Sequence, residues 1–170
     1  IELIEGHQFK EAKEYLFRLL KLDNRNHQAW LWYSRIAESL KAIEASLNNA
    51  AKIKPGDAII ENETFNFYRA KRRLTDEQFR RCPFCRFLSE IGSNRCPNCQ
   101  SHLVMDEHLL QSAPVGDKNI LEETIATLTR VIGREKNAKA HYYLSLANLN
   151  LANWEDALTH LDKSAKLAPT

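Results

Sequence analysis

Apolar residues recur at three- and four-residue steps through the first third of the chain, which is the spacing of one face of an α-helix. Polar, turn-forming residues at 21–26 interrupt this pattern, and a second helix is predicted to start near His27. A third apolar series runs from Leu40 to a Lys-Pro-Gly-Asp stop signal at 54–57. Because short loops make neighbouring helices fold back on each other, the pattern predicts antiparallel helical hairpins. The repeating apolar positions of the first helix are Phe9, Ala12, Leu16, Leu19 and Leu20.

The last third of the chain repeats this organisation, with helices predicted at 120–132, 138–151 and 154–167. Between the two helical parts, a connecting helix is predicted at 61–71, and Thr75 with Gln78 resembles the capping box of a further short helix. The predicted fold class is therefore mainly α, an antiparallel α-hairpin array with a small insert. The predicted parts are hairpins at 1–56, a connecting helical segment at 57–81, a cysteine-bearing insert at 82–105 and hairpins at 106–170.

The segment from 138 to 169 resembles a tetratricopeptide repeat, and 27–55 resembles a second repeat with a shortened turn. Positions that match the repeat pattern are Leu144, Ser145, Trp154, Ala157 and Pro169. Positions that depart from it are His141, Asn148 and Ser164. The resemblance implies hairpins whose small residues let the helices approach closely, and whose stacking creates a concave surface.

The composition fits a folded helical chain of 170 residues that are 44% hydrophobic and 27% charged, with a formal net charge of +2. With only 5 Gly and 5 Pro, disordered, collagen-like and turn-rich all-β material are disfavoured. No apolar run approaches the roughly 18 residues of a membrane span. Four cysteines are too few for a disulfide scaffold, so we expect a cytoplasmic protein. Because the sequence begins with Ile1 rather than Met, we also expect it to be a piece of a longer protein.

The spacing of the cysteines is the most specific feature of the sequence. Two C-x2-C hooks are separated by ten residues, and their members are Cys82, Cys85, Cys96 and Cys99. Two such hooks place four thiolates around one ion, with Zn–S distances of about 2.3 Å and no open position. We therefore predict a structural Zn²⁺ site with these four ligands, and iron is the alternative metal. Two disulfides would need an oxidising compartment, and a redox-active pair would need a βαβ context that the pattern lacks.

The pair of hooks resembles a short zinc ribbon of the rubredoxin-like kind. In such knuckles a Gly often follows the second Cys, whereas Arg86 and Gln100 stand at those places here. The combination of repeats and ribbon is similar in its parts to the lipopolysaccharide assembly protein B family, in which the ribbon closes the chain. An insert of about 24 residues buries too little apolar surface to fold alone, so metal affinity is expected to supply its folding energy.

Basic residues concentrate in the middle of the chain. Residues 69–95 carry 8 basic and 3 acidic side chains (net +5), whereas 1–68 carry 9 and 10 (net −1) and 96–170 carry 7 and 9 (net −2). The basic residues are Arg69, Lys71, Arg72, Arg73, Arg80, Arg81, Arg86 and Arg95. With Phe84 and Phe87 as stacking faces, they make a nucleic-acid-binding ribbon an alternative function. The simpler interpretation is that the arginines nearest the cysteines offset the formal −2 charge of four thiolates on Zn²⁺, and the near-neutral total argues against nucleic acid.

A concave surface of stacked hairpins would be lined by the first helix of each repeat. The candidate partner-binding residues are Lys139, Tyr142, Leu146, Leu149 and Asn150 in the C-terminal hairpin, and Gln28, Leu31, Arg35 and Glu38 in the N-terminal one. An apolar and aromatic surface suits a protein or peptide ligand, including another segment of the parent protein. Two alternatives stay open: Tyr142 and Tyr143 pack against a neighbouring hairpin, or the terminal hairpins pair with another copy of the chain to form a homo-oligomer.

Catalysis is not expected, because no histidine has a Ser, Cys or carboxylate at a recognisable catalytic spacing and no glycine-rich phosphate loop is present. The histidines are His7, His27, His102, His108, His141 and His160. The sequence thus predicts a non-catalytic protein-interaction or scaffold module of a larger protein, in which a structural zinc site organises the segment between two repeat blocks.

Overall fold

The computed structural model describes residues 9–107 and 113–168, and within these the protein is mainly α-helical, as predicted. The helices are α1 (Phe9–Leu22), α2 (His27–Ile36), α3 (Leu40–Ile53), α4 (Ala58–Lys71), α5 (Lys118–Ile132), α6 (Ala138–Asn150) and α7 (Trp154–Leu167). Two short strands, β1 (Phe79–Arg81) and β2 (Leu88–Glu90), lie between α4 and α5. None of the described helices is long and apolar enough to cross a membrane.

Polar side chains fix where most of these helices begin. In five of them the residue just before the helix accepts a hydrogen bond from a main-chain N–H of the first turn, and each such cap contributes about 1 kcal/mol to stability. These capping residues are Asn26, Ser39, Asp57, Asp117 and Asn137. The caps explain why the helices start at the ends of the polar runs that the sequence pattern marked.

Helices α1–α4 form the N-terminal block, in which each helix packs against the next one along the chain. Ala12 and Leu16 of α1 share a core with Ala29 and Ile36 of α2. A second core joins α2, α3 and α4, and it also includes Leu88 of β2. The core of the N-terminal block therefore continues into the strand pair β1–β2.

Helices α5–α7 form the C-terminal block, with α6 at its centre. All residues of α6 from 144 to 150 are buried, so this helix has neighbours on every side. The hydroxyl of Ser164 donates to the carbonyl oxygen of Ala138 (2.9 Å), and Asn153 Nδ2 donates to Asn148 Oδ1 (3.2 Å). These bonds tie the beginning of α6 to the end of α7, and the end of α6 to the beginning of α7.

The insert between the blocks differs from the sequence prediction. Residues 75–78 form a turn, closed by Gln78 N donating to Thr75 O (3.0 Å), where a short capped helix was expected. Gln78 O then accepts from Ile91 N (2.8 Å), because the chain here enters the antiparallel pair β1–β2. In the segment 57–81, which was expected to be a helical connection, the helix ends at Lys71, and residues 79–81 form a strand. We call residues 79–105 the four-cysteine segment.

Candidate metal centre

The first hook is a tight turn between β1 and β2. Cys82 N donates to Phe87 O (2.9 Å), and Arg86 N donates back to Cys82 O (3.1 Å). The amide of Phe84 points at Cys82 Sγ (3.4 Å), the contact expected for a thiolate held within a turn. Pairing of Arg81 with Leu88 at the base of the turn fixes the register of the hook.

The second hook repeats this geometry. Cys96 N donates to Ser101 O (2.9 Å), and Gln100 N donates to Cys96 O (3.0 Å), while Arg95 and His102 pair at the base. Both residues that follow a second cysteine lie in the left-handed region, with φ of +60° at Arg86 and at Gln100. Glycine would take that conformation without strain, whereas other L-residues pay about 1 kcal/mol or more. The turn therefore forms although neither position is Gly.

The two hooks bring their four sulfur atoms together. Cys82 Sγ lies 3.7 Å from Cys99 Sγ, Cys85 Sγ lies 3.5 Å from Cys96 Sγ, and the four sulfurs lie within 4.8 Å of one another. Four sulfurs placed tetrahedrally at about 2.3 Å from one Zn²⁺ would be about 3.8 Å apart. These separations are far longer than the ~2.05 Å of a disulfide bond, and all four cysteines are free. The cluster could therefore hold one metal ion.

The environment of the cluster affects its four thiols unequally. Burial raises the pKa of Cys82 well above the usual thiol range, whereas hydrogen bonds from Cys82, Cys85 and Cys99 lower the pKa of Cys96. Hydrogen bonding from Cys82 and Cys85 also lowers the pKa of Cys99 to about 7. Thiols that compete for protons in this way release them when a cation binds, so metal uptake is coupled to proton release.

On one side, the four-cysteine segment docks on α6 through a single buried amide. Asn150 is fully buried; its Oδ1 accepts from His102 N (2.7 Å), and its Nδ2 donates to His102 O (3.2 Å) and to Leu146 O (2.8 Å). Asp117 N donates to Cys99 O (2.8 Å) just before α5 begins. The cysteines, Leu146 and other apolar residues of the C-terminal block share one core.

Close backbone approach completes this contact. Gly116 has φ of +91°, and a Cβ placed there would lie 2.3 Å from Ser101 Oγ. Ser101 follows the second hook and is fully buried. Any side chain at 116 would therefore push the hook away from the segment that leads into α5.

On the other side, two arginines dock the four-cysteine segment on the end of α2. Arg81 donates to the carbonyl oxygen of Ser34 and, within its own hook, to that of Arg86 (2.9 Å). Arg86 donates to the carbonyl oxygen of Arg35 (3.4 Å). Carbonyls at the C-terminal end of a helix lack partners within the helix and carry partial negative charge, so guanidinium groups are suitable partners for them. Burial lowers the pKa of Arg81 to about 9 and that of Arg86 to about 10, so both remain charged at neutral pH.

The structure places the candidate partner-binding residues of the C-terminal hairpin largely inside the protein. Leu146, Leu149 and Asn150 are buried, and Tyr142 is half-buried against the core that contains the cysteines. Lys139 is exposed at the start of α6. The predicted apolar groove on α6 is thus closed: Asn150 bonds to the four-cysteine segment, and Leu146 and Leu149 lie in the core that contains its cysteines.

The N-terminal candidates are spread over several environments. Leu31 is buried in the core of the N-terminal block, and Gln28 is exposed. Glu38 accepts from Lys13 Nζ (3.1 Å) on α1, and Arg35 Nε donates to Glu63 Oε1 (2.8 Å) on α4.

The basic residues in the middle of the chain also lie in different environments, some exposed and some half-buried. Phe84, a candidate stacking residue, is buried. Lys71 donates to Glu44 (2.7 Å), and Arg95 Nε donates to the ring of His102 (3.2 Å). The exposed members are Arg69, Arg72, Arg73 and Arg95, while Arg80, Arg81, Arg86 and Phe87 are half-buried. His7, His108 and Pro169 lie outside the described residues.

Sequence reasoning missed the residues that hold the four-cysteine segment in place. It placed Asn150 on an open groove, although a polar side chain next to Leu149 and Leu151 at the end of a largely apolar run was a signal that something polar covers it. Gly116 carried a weaker signal, because one of only five glycines precedes the capping residue of a helix. His102 docks through its main chain, and no residue type signals such a contact.

The chain matches no protein-family model and no curated protein. Its class is therefore defined by the structure: a mainly helical protein with packed helix pairs and a cluster of four cysteines that could bind a metal ion.

Proposed function

We propose that this chain is a non-catalytic protein-interaction or scaffold module of the tetratricopeptide type, in which a structural Zn²⁺ ion holds the four-cysteine segment between two helical blocks. The observation that carries the proposal is the two-sided docking of the four-cysteine segment. Arg81 and Arg86 attach it to α2, and the contact of Asn150 with His102 attaches it to α6. A metal site in that place fixes how the two blocks are joined.

Packing within the C-terminal block supports the repeat interpretation. Ser145 and Ala157, the small residues of the repeat pattern, are fully or almost fully buried, as close helix approach requires. Residue pairs 138/164, 141/160 and 148/153 are in contact, which is the order expected of an antiparallel hairpin. Such hairpins stack through neighbouring units and commonly present surfaces to other proteins.

The chemistry of the donor set favours zinc. Four thiolates with no other ligand form a closed tetrahedral site, and Zn²⁺ in such a site supplies folding energy without redox chemistry. Iron bound to the same four sulfurs would be coloured and redox-active, so metal analysis distinguishes the two directly.

A metal-removal experiment tests the structural role. We expect one Zn²⁺ per chain by emission spectroscopy. Chelation or Cys82→Ser should reduce the near-UV circular dichroism, because Phe84 and Phe87 lose their packing, and should expose the four-cysteine segment to protease, while most far-UV helical signal remains. Asn98→Ser, an exposed change between Cys96 and Cys99 that alters no sulfur, serves as the matched control. A metal-free protein with unchanged near-UV spectrum and protease resistance would refute the structural role.

A further inference from the structure

The face of α6 that carries Asn150 is occupied by a short extended piece of the same chain. Residues 101–103 pair with 94–96 along one edge through two main-chain hydrogen bonds of 2.9 and 2.8 Å. In this antiparallel pairing, the main-chain N–H and C=O of His102 point to the opposite edge of the piece. That edge faces α6, where the side chain of Asn150 meets both groups.

The amide of Asn150 binds this edge as a neighbouring strand would. Its Oδ1 accepts from His102 N (2.7 Å) and its Nδ2 donates to His102 O (3.2 Å), so one side chain holds both main-chain groups of one residue. A further bond from Nδ2 to Leu146 O (2.8 Å) fixes the orientation of the amide on its own helix. Because the bonds to His102 go to main-chain atoms, they suit every residue type except proline, which lacks the N–H. We call this arrangement the Asn150 clamp.

Packing on both sides of the clamped residue restricts its neighbours. Ser101, which precedes it, is fully buried, and its Oγ lies directly beside the main chain of Gly116. Leu103, which follows it, is buried in the same core as Leu146 and Leu149. The site therefore suits an extended segment in which a small residue precedes the clamped residue and a large aliphatic residue follows it.

The metal site controls whether this segment stays on α6. Residues 101–103 begin two positions after Cys99, so they move with the second hook. The two hooks bury too little apolar surface to keep their fold without a metal ion. The hairpin of α6 and α7 has contacts of its own, such as the bond from Ser164 Oγ to Ala138 O (2.9 Å). Loss of the metal therefore lets 101–103 leave a helical face that remains formed.

We propose that the Asn150 clamp and the apolar face beside it bind an extended segment of a partner protein, with the pattern small residue, any residue except proline, large aliphatic residue. Residues 101–103 fill this site from within the chain while the four cysteines hold a metal ion, and loss of the metal frees it. The segment seated on the face defines the chemistry of the occupant. The inference rests on the structural metal site proposed above.

The test uses the full chain and a fluorescent peptide that copies residues 100–105, with a second peptide in which proline replaces the histidine. The site is filled in the zinc-loaded wild type. It is open in the chelated His102→Pro variant, whose own segment lacks the N–H that Asn150 binds. By fluorescence anisotropy, we expect the histidine peptide to bind the open variant at least about tenfold more tightly than the proline peptide does, because the latter leaves Asn150 Oδ1 unpaired. It should bind the zinc-loaded wild type at least about tenfold more weakly than the open variant.

Second substitutions in the open variant locate the binding. Asn150→Ala should weaken the histidine peptide about tenfold or more, whereas Asn148→Ala should change it by less than about twofold, since Asn148 bonds within its own hairpin. Equal affinity for the two peptides, or no binding at about 1 mM, would overturn the proposal. A chelated chain that dimerises without capturing the peptide would also overturn it, because the face would then belong to a second copy.

A measurement on the wild type decides the question if the chelated variant loses its helical circular dichroism. The histidine peptide at about 1 mM should accelerate transfer of Zn²⁺ to a chromogenic chelator about threefold or more, because it captures α6 whenever 101–103 leaves it. The proline peptide should not, and equal transfer rates would overturn the proposal. A chain that binds one Zn²⁺ and passes the metal-removal experiment, but fails these peptide tests, refutes this inference and leaves the structural role of the metal standing.

Discussion

Replacing Asn150 with alanine should detach the four-cysteine segment from α6. The Asn150 side chain makes three hydrogen bonds, two of them to the main chain of His102, and all lie out of contact with solvent. Asn150→Ala keeps helix propensity high, so its effect reports the lost contacts rather than a weakened helix. His102 would then lose both of the main-chain hydrogen bonds that Asn150 supplies to it.

The magnitude of the stability loss follows from the number of buried hydrogen bonds that the substitution removes. Each buried hydrogen bond contributes about 1 kcal/mol net, and each stranded polar group costs about 1–3 kcal/mol. The bond to Leu146 O lies within α6 and is left out of this sum, so we expect Asn150→Ala to lower the free energy of unfolding by about 3 kcal/mol. If the same contact limits opening of the second hook, release of metal should accelerate by about two orders of magnitude.

Two measurements check this expectation. Urea denaturation gives the stability loss, and transfer of Zn²⁺ to a chromogenic chelator gives the release rate. Asn148→Ala is the matched control, because Asn148 is also buried on α6, and among the described residues its side chain bonds to Leu144 O and to Asn153, both within its own hairpin. It should lower stability without accelerating release. The reasoning is refuted if Asn150→Ala loses less than about 1 kcal/mol, or if both variants release Zn²⁺ at the same rate.

Three further predictions follow from strained or titrating residues. Gln100→Gly should raise the free energy of unfolding by about 1 kcal/mol in urea titration, because glycine takes φ of +60° without strain; no gain would contradict the left-handed turn. Ala152→Gly should give a similar gain of about 1 kcal/mol, as Ala152 has φ of +59° where α6 ends, and the thermal midpoint measures it. Burial lowers the pKa of His141 and of His160, whose Nδ1 atoms lie 3.0 Å apart, so the unfolded chain protonates first and stability should fall as pH drops below about 6.5. Urea titrations at pH 7.5 and 5.5 should show a smaller pH effect in His160→Gln than in the wild type, and an equal effect would exclude the pair as its source.

The helices could be predicted because their determinants are local. Apolar spacing indicated their extent, and the residues that cap them, such as Ser39 and Asp57, are their immediate neighbours in the chain. The convergence of the four sulfurs could also be predicted, because each C-x2-C hook is a local turn and metal geometry specifies the rest. In both cases the information lies within a few residues of chain.

The covering of α6 could not be predicted in the same way. Its buried positions follow no single stripe, so periodicity shows that the helix is surrounded but not by what. The contact of Asn150 with His102 joins residues 48 positions apart and depends on main-chain atoms that every residue has. The sequence pattern also did not indicate that Arg81 donates hydrogen bonds to the carbonyls of Ser34 and Arg86.

The two-sided docking of the four-cysteine segment also sets an order of folding during synthesis. Contacts among the sulfurs span only 11 and 17 residues, whereas those that join the segment to α2 and α6 span 47 and 48. Local loops close fastest, so the nascent chain can capture its ion once Cys99 has left the ribosome, before Asn150 is translated. Helix α6 then covers a hook that is already formed, and protection of the His102 amide from hydrogen exchange reports when that step is complete.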